Sequence, residues 1–426
     1  MTIDTFEVPS FTPEQRQKLN EKLSDIIYPH EFEKNVGWTY GAPKWAVEPM
    51  VNIWRNEFDW EESRKEMARW HHLKVNIDGV RIHCVNETSK QPGAIPIMLL
   101  HGWPSTFYEY HKVIEPLRDG AGGAQAYHVV VPSLPGYGFS DPTPTPGWGV
   151  AKCAETLHKL MLELGYTKYV VHGTDWGAMI GMHIATTYAA NCRAYHTNFM
   201  LVMPPIPTLS NIVTQPVRVV KFLACMLLGG DAVYGKDKLR VLGRSFADID
   251  RDRDSGYRAI QGTKPYSLSY GLSDSPVGLH NRTSSTTSAA WLLEKYHNWT
   301  THTGDKESSV LPPTIDAKEF LTQVTIYWMT NSISSSMRLY YERLIEPNMD
   351  SAFYTKVTIP TGVSSFPDEV SKVCQLIDLR EWVDSQVNLV QYEEHPSGGH
   401  FAALEEPQLL THDIQRFGKK IAADLQ

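Results

Sequence analysis

Residues 168–185, KYVVHGTDWGAMIGMHIA, restrict the possible folds more than any other stretch of this chain. An apolar run leads into a glycine-flanked turn and then a helical pattern, so the segment reads as strand, tight turn, helix. Asp175 stands where the turn is sharpest, with Gly173 and Gly177 two residues away on either side. Glycines there permit strained dihedrals and a close approach of helix to strand. Gly181, one helical turn on, keeps that approach close. Two earlier runs, IPIMLL at 95–100 and VVV at 129–131, have the continuous apolar character of strands buried on both faces. Between the second of these and YVV at 169–171, Val150, Ala154, Leu157, Leu160, Met161 and Leu164 share one helical face. Strand, helix, strand in this order predicts parallel pairing with right-handed crossovers: an α/β fold with a mostly parallel central sheet flanked by helices.

The rest of the chain divides around that core. Residues 1–75 read as a helical lead-in, with Thr12-Pro13 opening one helix and a second expected over roughly 44–70. KVNIDGVRIHCV at 74–85 alternates around Asp78-Gly79 and predicts a hairpin. After about residue 204 the alternation of strands and helices stops. Residues 205–345 read mostly as helices, with a Ser/Thr-rich loop at 283–288. Strands return at 354–360 and 387–392, and a final helix is expected from about 405 to 423. The expected organisation is a core of 76–204 and 346–426, interrupted by a helical cap of 205–345.

A formal net charge of −8 without any block of Lys or Arg argues against nucleic-acid binding, which needs a basic face. Five cysteines, none in a C-x-x-C pair, point to reduced thiols in a cytoplasmic compartment rather than a disulfide framework or zinc site. The start MTIDTFEVPS lacks the pattern of a signal peptide, and the most apolar run, FLACMLL at 222–228, is too short to span a bilayer.

Gly-x-Asp-x-Gly is the nucleophile-elbow pattern with Asp in place of Ser. On its own Asp175 could equally be a helix N-cap. As a nucleophile, a carboxylate can displace a leaving group at saturated carbon and form an ester that water must then hydrolyse. His400 follows a Gly-Gly pair after a predicted strand and is the candidate base; His395 is its competitor. Asp368 and Glu369 both stand where a third, orienting carboxylate is needed, and residue type does not choose between them. HGWP at 101–104 follows a strand directly, so the N–H groups of Trp103 and Trp176 are candidate oxyanion donors.

Together HGWP, GYGFS at 136–140, GTDWG at 173–177 and GGHFAALEEP at 398–407 resemble the epoxide hydrolases of the α/β-hydrolase superfamily, microsomal-type branch, including its soluble fungal members. YGAP at 40–43 and IDGVRIH at 77–83 look like the lead-in of that branch. The resemblance implies Glu369 as the acid, after Phe366-Pro367, and two cap tyrosines that activate the epoxide, mapping to Tyr257 and Tyr340. It implies an epoxide substrate, no metal or organic cofactor, and a homodimer. Ser105 and Thr174 stand where the family pattern has Gly, and the 280–290 segment lengthens the cap. The alternatives are a haloalkane dehalogenase, a biosynthetic hydrolase for one elaborate epoxide, and a non-catalytic binding module.

Overall fold

The computed structural model describes residues 2–202, 204–235, 255–274, 287–347, 355–370 and 380–425. Nine strands form one sheet: β1 (Ile3–Thr5), β2 (His72–Ile77), β3 (Val80–Glu87), β4 (Ile95–Leu100), β5 (Tyr127–Pro132), β6 (Tyr169–Gly173), β7 (Cys192–Thr197), β8 (Val357–Ser365) and β9 (Val387–Glu394). Their spatial order is β1-β2-β3-β5-β4-β6-β7-β8-β9. The first three strands and β5 pair antiparallel, and every pairing from β5 through β9 is parallel. Val129, Val131, Ile97, Leu99 and Val170 are fully buried, as the continuous apolar runs require of strands covered on both faces.

The lead-in differs from expectation in two ways. Residues 3–5 form a strand that pairs with β2, so the segment is not purely helical. The helix expected over 44–70 is two: α2 (Lys44–Asn56) and α3 (Trp60–Met67). Asp59 separates them, because its side chain accepts the N–H of Glu61 and starts a new helix. The first helix, α1 (Pro13–Ser24), opens with a capping box between Thr12 and Gln15 and buries Leu19 and Leu23.

Strand β7 has no apolar run to announce it. Its His196 is fully buried and satisfied within the sheet by His172, ring nitrogens 2.9 Å apart, so polar residues sit where periodicity expects apolar ones. Strand β8 begins and ends later than expected, because Ser364 and Ser365 continue the pairing with β9. The final helix is Pro407–Leu425, close to the expected bounds; a short helix, Ala402–Glu405, precedes it, and Pro407, with no N–H to continue that turn, suits the start of the longer one. Between residues 209 and 345, every regular element among the described residues is helical. Of the Ser/Thr-rich stretch, 283–286 lie outside the described residues and Thr287 opens a helix.

This topology decides where chemistry can sit. Strands β4, β6, β8 and β9 run parallel, so their C-terminal ends lie along one edge of the sheet. The loops leaving those ends carry Trp103, Asp175, Glu369 and His400. Ligands of open α/β sheets bind in the crevice at that edge.

Candidate active site

Asp175 is the first residue of the helix Asp175–Thr187 and has φ 47°, a left-handed conformation that a non-glycine residue holds only when its surroundings impose it. The surroundings are backbone. A Cβ at Gly177 would lie 2.1 Å from the carbonyl oxygen of Leu100 on β4. A Cβ at Gly102 would lie 2.1 Å from Oδ1 of Asp175 itself. The helix, the neighbouring strand and the HGWP loop therefore close on one carboxylate. Thr174 departs from glycine without cost to this turn: its N–H donates to the Leu100 carbonyl at 3.0 Å, and its hydroxyl accepts from Asn198 at 3.3 Å.

The backbone N–H of Trp103 donates to Asp175 Oδ1 at 2.8 Å. The N–H of Trp176, the next residue in the chain, also favours the charged form of this carboxylate. Burial pushes the Asp175 carboxyl above its ordinary value, while the charge on His400 and the two backbone N–H groups oppose that rise. His400 Nε2 lies 3.6 Å from Asp175 Oδ2. Its Nδ1 faces Glu369 Oε1 at 2.7 Å, and both side chains are buried. Burial alone would lower the imidazole. The charge and hydrogen bond of Glu369, then the charge of Asp175, overcome it and raise His400 to about 9.

Both alternatives left open by residue type are separated by geometry. Asp368 turns away from His400 and accepts the hydroxyl of Thr301 at 2.5 Å. His395 stacks on Phe366, and its Nε2 lies 2.6 Å from Asp413, on the final helix. Tyr257 and Tyr340 both face the nucleophile loop. Tyr257 stacks on Trp103 with ring centroids 5.4 Å apart, Tyr340 meets Trp176 edge-on at 4.7 Å, and the two tyrosines are 5.9 Å apart. The neighbouring Tyr341 is exposed. Burial first, then nearby charges including Asp175, lift the Tyr340 phenol well above its ordinary value, so it stays protonated and able to donate a hydrogen bond.

Some residues at the site gave no sequence signal. Glu405 accepts the N–H groups of Gly399 at 3.0 Å and Thr301 at 2.8 Å, so it ties the histidine loop to the segment that follows the helix Thr287–Asn298. Trp299 accepts the His400 N–H at 2.8 Å and packs its ring 5.0 Å from the imidazole. Glu109 is buried behind the HGWP loop, and burial pushes its carboxyl up to about 8 despite the Ser105 hydroxyl and the charge on His400. Glu405 lies inside the GGHFAALEEP motif, the nearest thing to a hint. Among the described residues no cluster of three His, Cys, Asp or Glu side chains could hold a metal, and no helix is long and apolar enough to cross a membrane. Cys84, Cys153, Cys192 and Cys225 are buried free thiols.

Residues 3–110 match the family model described as the epoxide hydrolase N terminus, and residues 95–219 match that of the alpha/beta hydrolase fold. A putative epoxide hydrolase from Stigmatella aurantiaca is 32% identical over 412 residues, covering 95% of this chain and 82% of that protein. Epoxide hydrolase 1 from Sus scrofa is 33% identical over 431 residues, covering 95% and 84%. Among solved structures, the juvenile hormone epoxide hydrolase of the silkworm Bombyx mori superimposes with a TM-score of 0.84 at 27% identity, covering 100% of this chain and 96% of that one. The Aspergillus niger epoxide hydrolase gives 0.75 at 25%, covering 99% and 97%.

Proposed function

This chain belongs to the epoxide hydrolase family of the α/β-hydrolase fold, and from that premise we propose that it opens an epoxide to a vicinal diol through an ester on Asp175. One observation carries the reading. A single carboxylate is held by the Trp103 N–H through one oxygen and faces the imidazole of His400 with the other. That is the disposition needed for attack by Asp175 and later attack on its ester.

In the first step Asp175 attacks a ring carbon and the carbon–oxygen bond breaks. The departing oxygen, a poor leaving group as alkoxide, takes a proton from the tyrosine pair, Tyr257 and Tyr340. The ester removes the Asp175 charge that helped to raise His400. Its imidazolium is then a stronger acid than a phenol, so it returns the tyrosine proton and becomes a neutral base. His400, oriented by Glu369, next takes a proton from water. Hydroxide adds to the ester carbonyl, the N–H groups of Trp103 and Trp176 hold the oxyanion, and collapse releases diol. Aspartate and imidazolium are both restored, so charge and protons balance over the cycle.

The test is to quantify diol from a panel of epoxides, including a simple aryl epoxide, with wild type and folded Asp175→Ala. Diol from the first alone supports the reading. Diol from both removes Asp175 as nucleophile, and turnover of haloalkanes but not epoxides favours the dehalogenase chemistry. The division into a lead-in of 1–75, a core of 76–204 and 346–426, and a cap of 205–345 belongs to the same proposal. So does a cytoplasmic homodimer, which rests on the resemblance and the unpaired thiols and is tested by light scattering and cell fractionation.

A further inference from the structure

Lys295 is 3% exposed, unusually buried for a lysine. It lies on the helix Thr287–Asn298, and its ammonium sits over the ring of Tyr257, 4.8 Å from the centroid. The rings of Trp291 and Trp299 lie 5.7 Å from the same nitrogen, so three aromatic rings surround it. Its carboxylate partner is Glu294, 2.5 Å away and partly exposed. Desolvating an ammonium is costly, and lysines with a path to water normally extend along it.

The two tyrosines are therefore not equivalent. Tyr340 is flanked edge-on by Trp103 and Trp176, and the negative charge of Asp175 opposes its ionisation. Tyr257 has a cation over its ring. We infer that Lys295 is an electrostatic positioning residue for Tyr257, making Tyr257 the tyrosine that gives up its proton while Tyr340 only holds the epoxide oxygen. The inference rests on the reading of both tyrosines as epoxide-binding groups.

A bond forms between an Asp175 oxygen and the ring carbon as the carbon–oxygen bond of the epoxide breaks. The electron pair of that bond stays on oxygen, which takes the Tyr257 proton. The O–H pair remains on Tyr257, whose phenolate charge spreads into the ring beneath the ammonium. Negative charge thus moves from Asp175 to a ring that Lys295 attracts more strongly than it attracts the neutral phenol. Ester hydrolysis needs no such charge on Tyr257, so Lys295 acts on the first step alone.

Single-turnover reactions with a simple aryl epoxide, quenched and read by intact-protein mass, separate the two steps. Lys295→Met is expected to slow ester formation about tenfold or more, and to leave ester hydrolysis within about twofold. Lys295→Arg keeps the charge and restores most of the rate. In a Tyr257→Phe background, Lys295→Met costs nothing further, because the two residues act as one unit. Equal slowing of both steps, or the same cost in the Tyr257→Phe background, would overturn the inference and reduce Lys295 to cap packing. Glu294→Gln probes the same link without touching Lys295: ester formation holds or rises, and a tenfold fall contradicts the proposal. If Tyr257→Phe forms ester at the wild-type rate, Tyr257 is not the donor, and the error lies in the tyrosine reading itself.

Discussion

Two histidines five residues apart each face a carboxylate at almost the same distance. His400 meets Glu369 at 2.7 Å and His395 meets Asp413 at 2.6 Å. Only the first pair has a third group in line, since His400 Nε2 faces Asp175 3.6 Å away. Asp413 instead also accepts the hydroxyl of Ser364 at 2.6 Å, so the second pair joins β8 to the C-terminal helix. A histidine–carboxylate pair is thus a structural unit of ordinary stability. What turns one into a candidate catalytic base is the nucleophile at its far nitrogen, together with the strand ends that put it there.

Substitutions at the two sites test that contrast. Asp175→Ala should lower diol formation by at least about 10^4-fold, with the fold retained by circular dichroism. His400→Gln should lower kcat about 10^3-fold and let the ester accumulate, visible as a substrate adduct in the intact mass. An unmodified variant protein would mean that His400 is needed before the ester forms. Tyr340→Phe should cost about 10^2-fold in ester formation through the loss of one donor to the developing oxyanion.

A smaller effect concerns pH. In the free protein His400 remains protonated up to about 9, held by Glu369 and Asp175. The ester removes the Asp175 charge, so the imidazole deprotonates at lower pH. Ester decay in single turnover should therefore rise with pH and level off below pH 9. A midpoint at or above 9 would show that Asp175 does not set the imidazole's charge. The smallest effect is His395→Asn, for which kcat should stay within about twofold while stability falls by about 1–3 kcal/mol, read from denaturant unfolding. Loss of turnover there would erase the distinction between the two pairs.

The features legible in the sequence are those whose cause is local. The apolar runs of β4, β5 and β6 and the glycines around Asp175 reflect burial on both faces and a turn too tight for side chains. Strand β7 was not legible, because its buried His196 is satisfied by a residue 24 positions away. The break at Asp59 is hidden for the opposite reason: a single cap bond outweighs a continuous helical pattern. Lys295 and Glu405 carry no signal of their roles, because Tyr257 and Thr301, which they meet, lie far away in the chain.

By itself, then, the sequence determined the parallel-sheet core, the elbow that presents Asp175 and the set of residues competing for the other roles. Spacing along a strand or helix encodes which face is buried and where the chain must turn. Residue type left Asp368, His395 and Tyr341 beside Glu369, His400 and Tyr340; the resemblance pointed to the second set, and packing puts Glu369 against His400, His400 against Asp175 and Tyr340 inward. Each choice is between near neighbours of like chemistry. It is settled by which loop at the sheet's C-terminal edge approaches which other, and that distance is a property of the packed sheet and cap rather than of either segment.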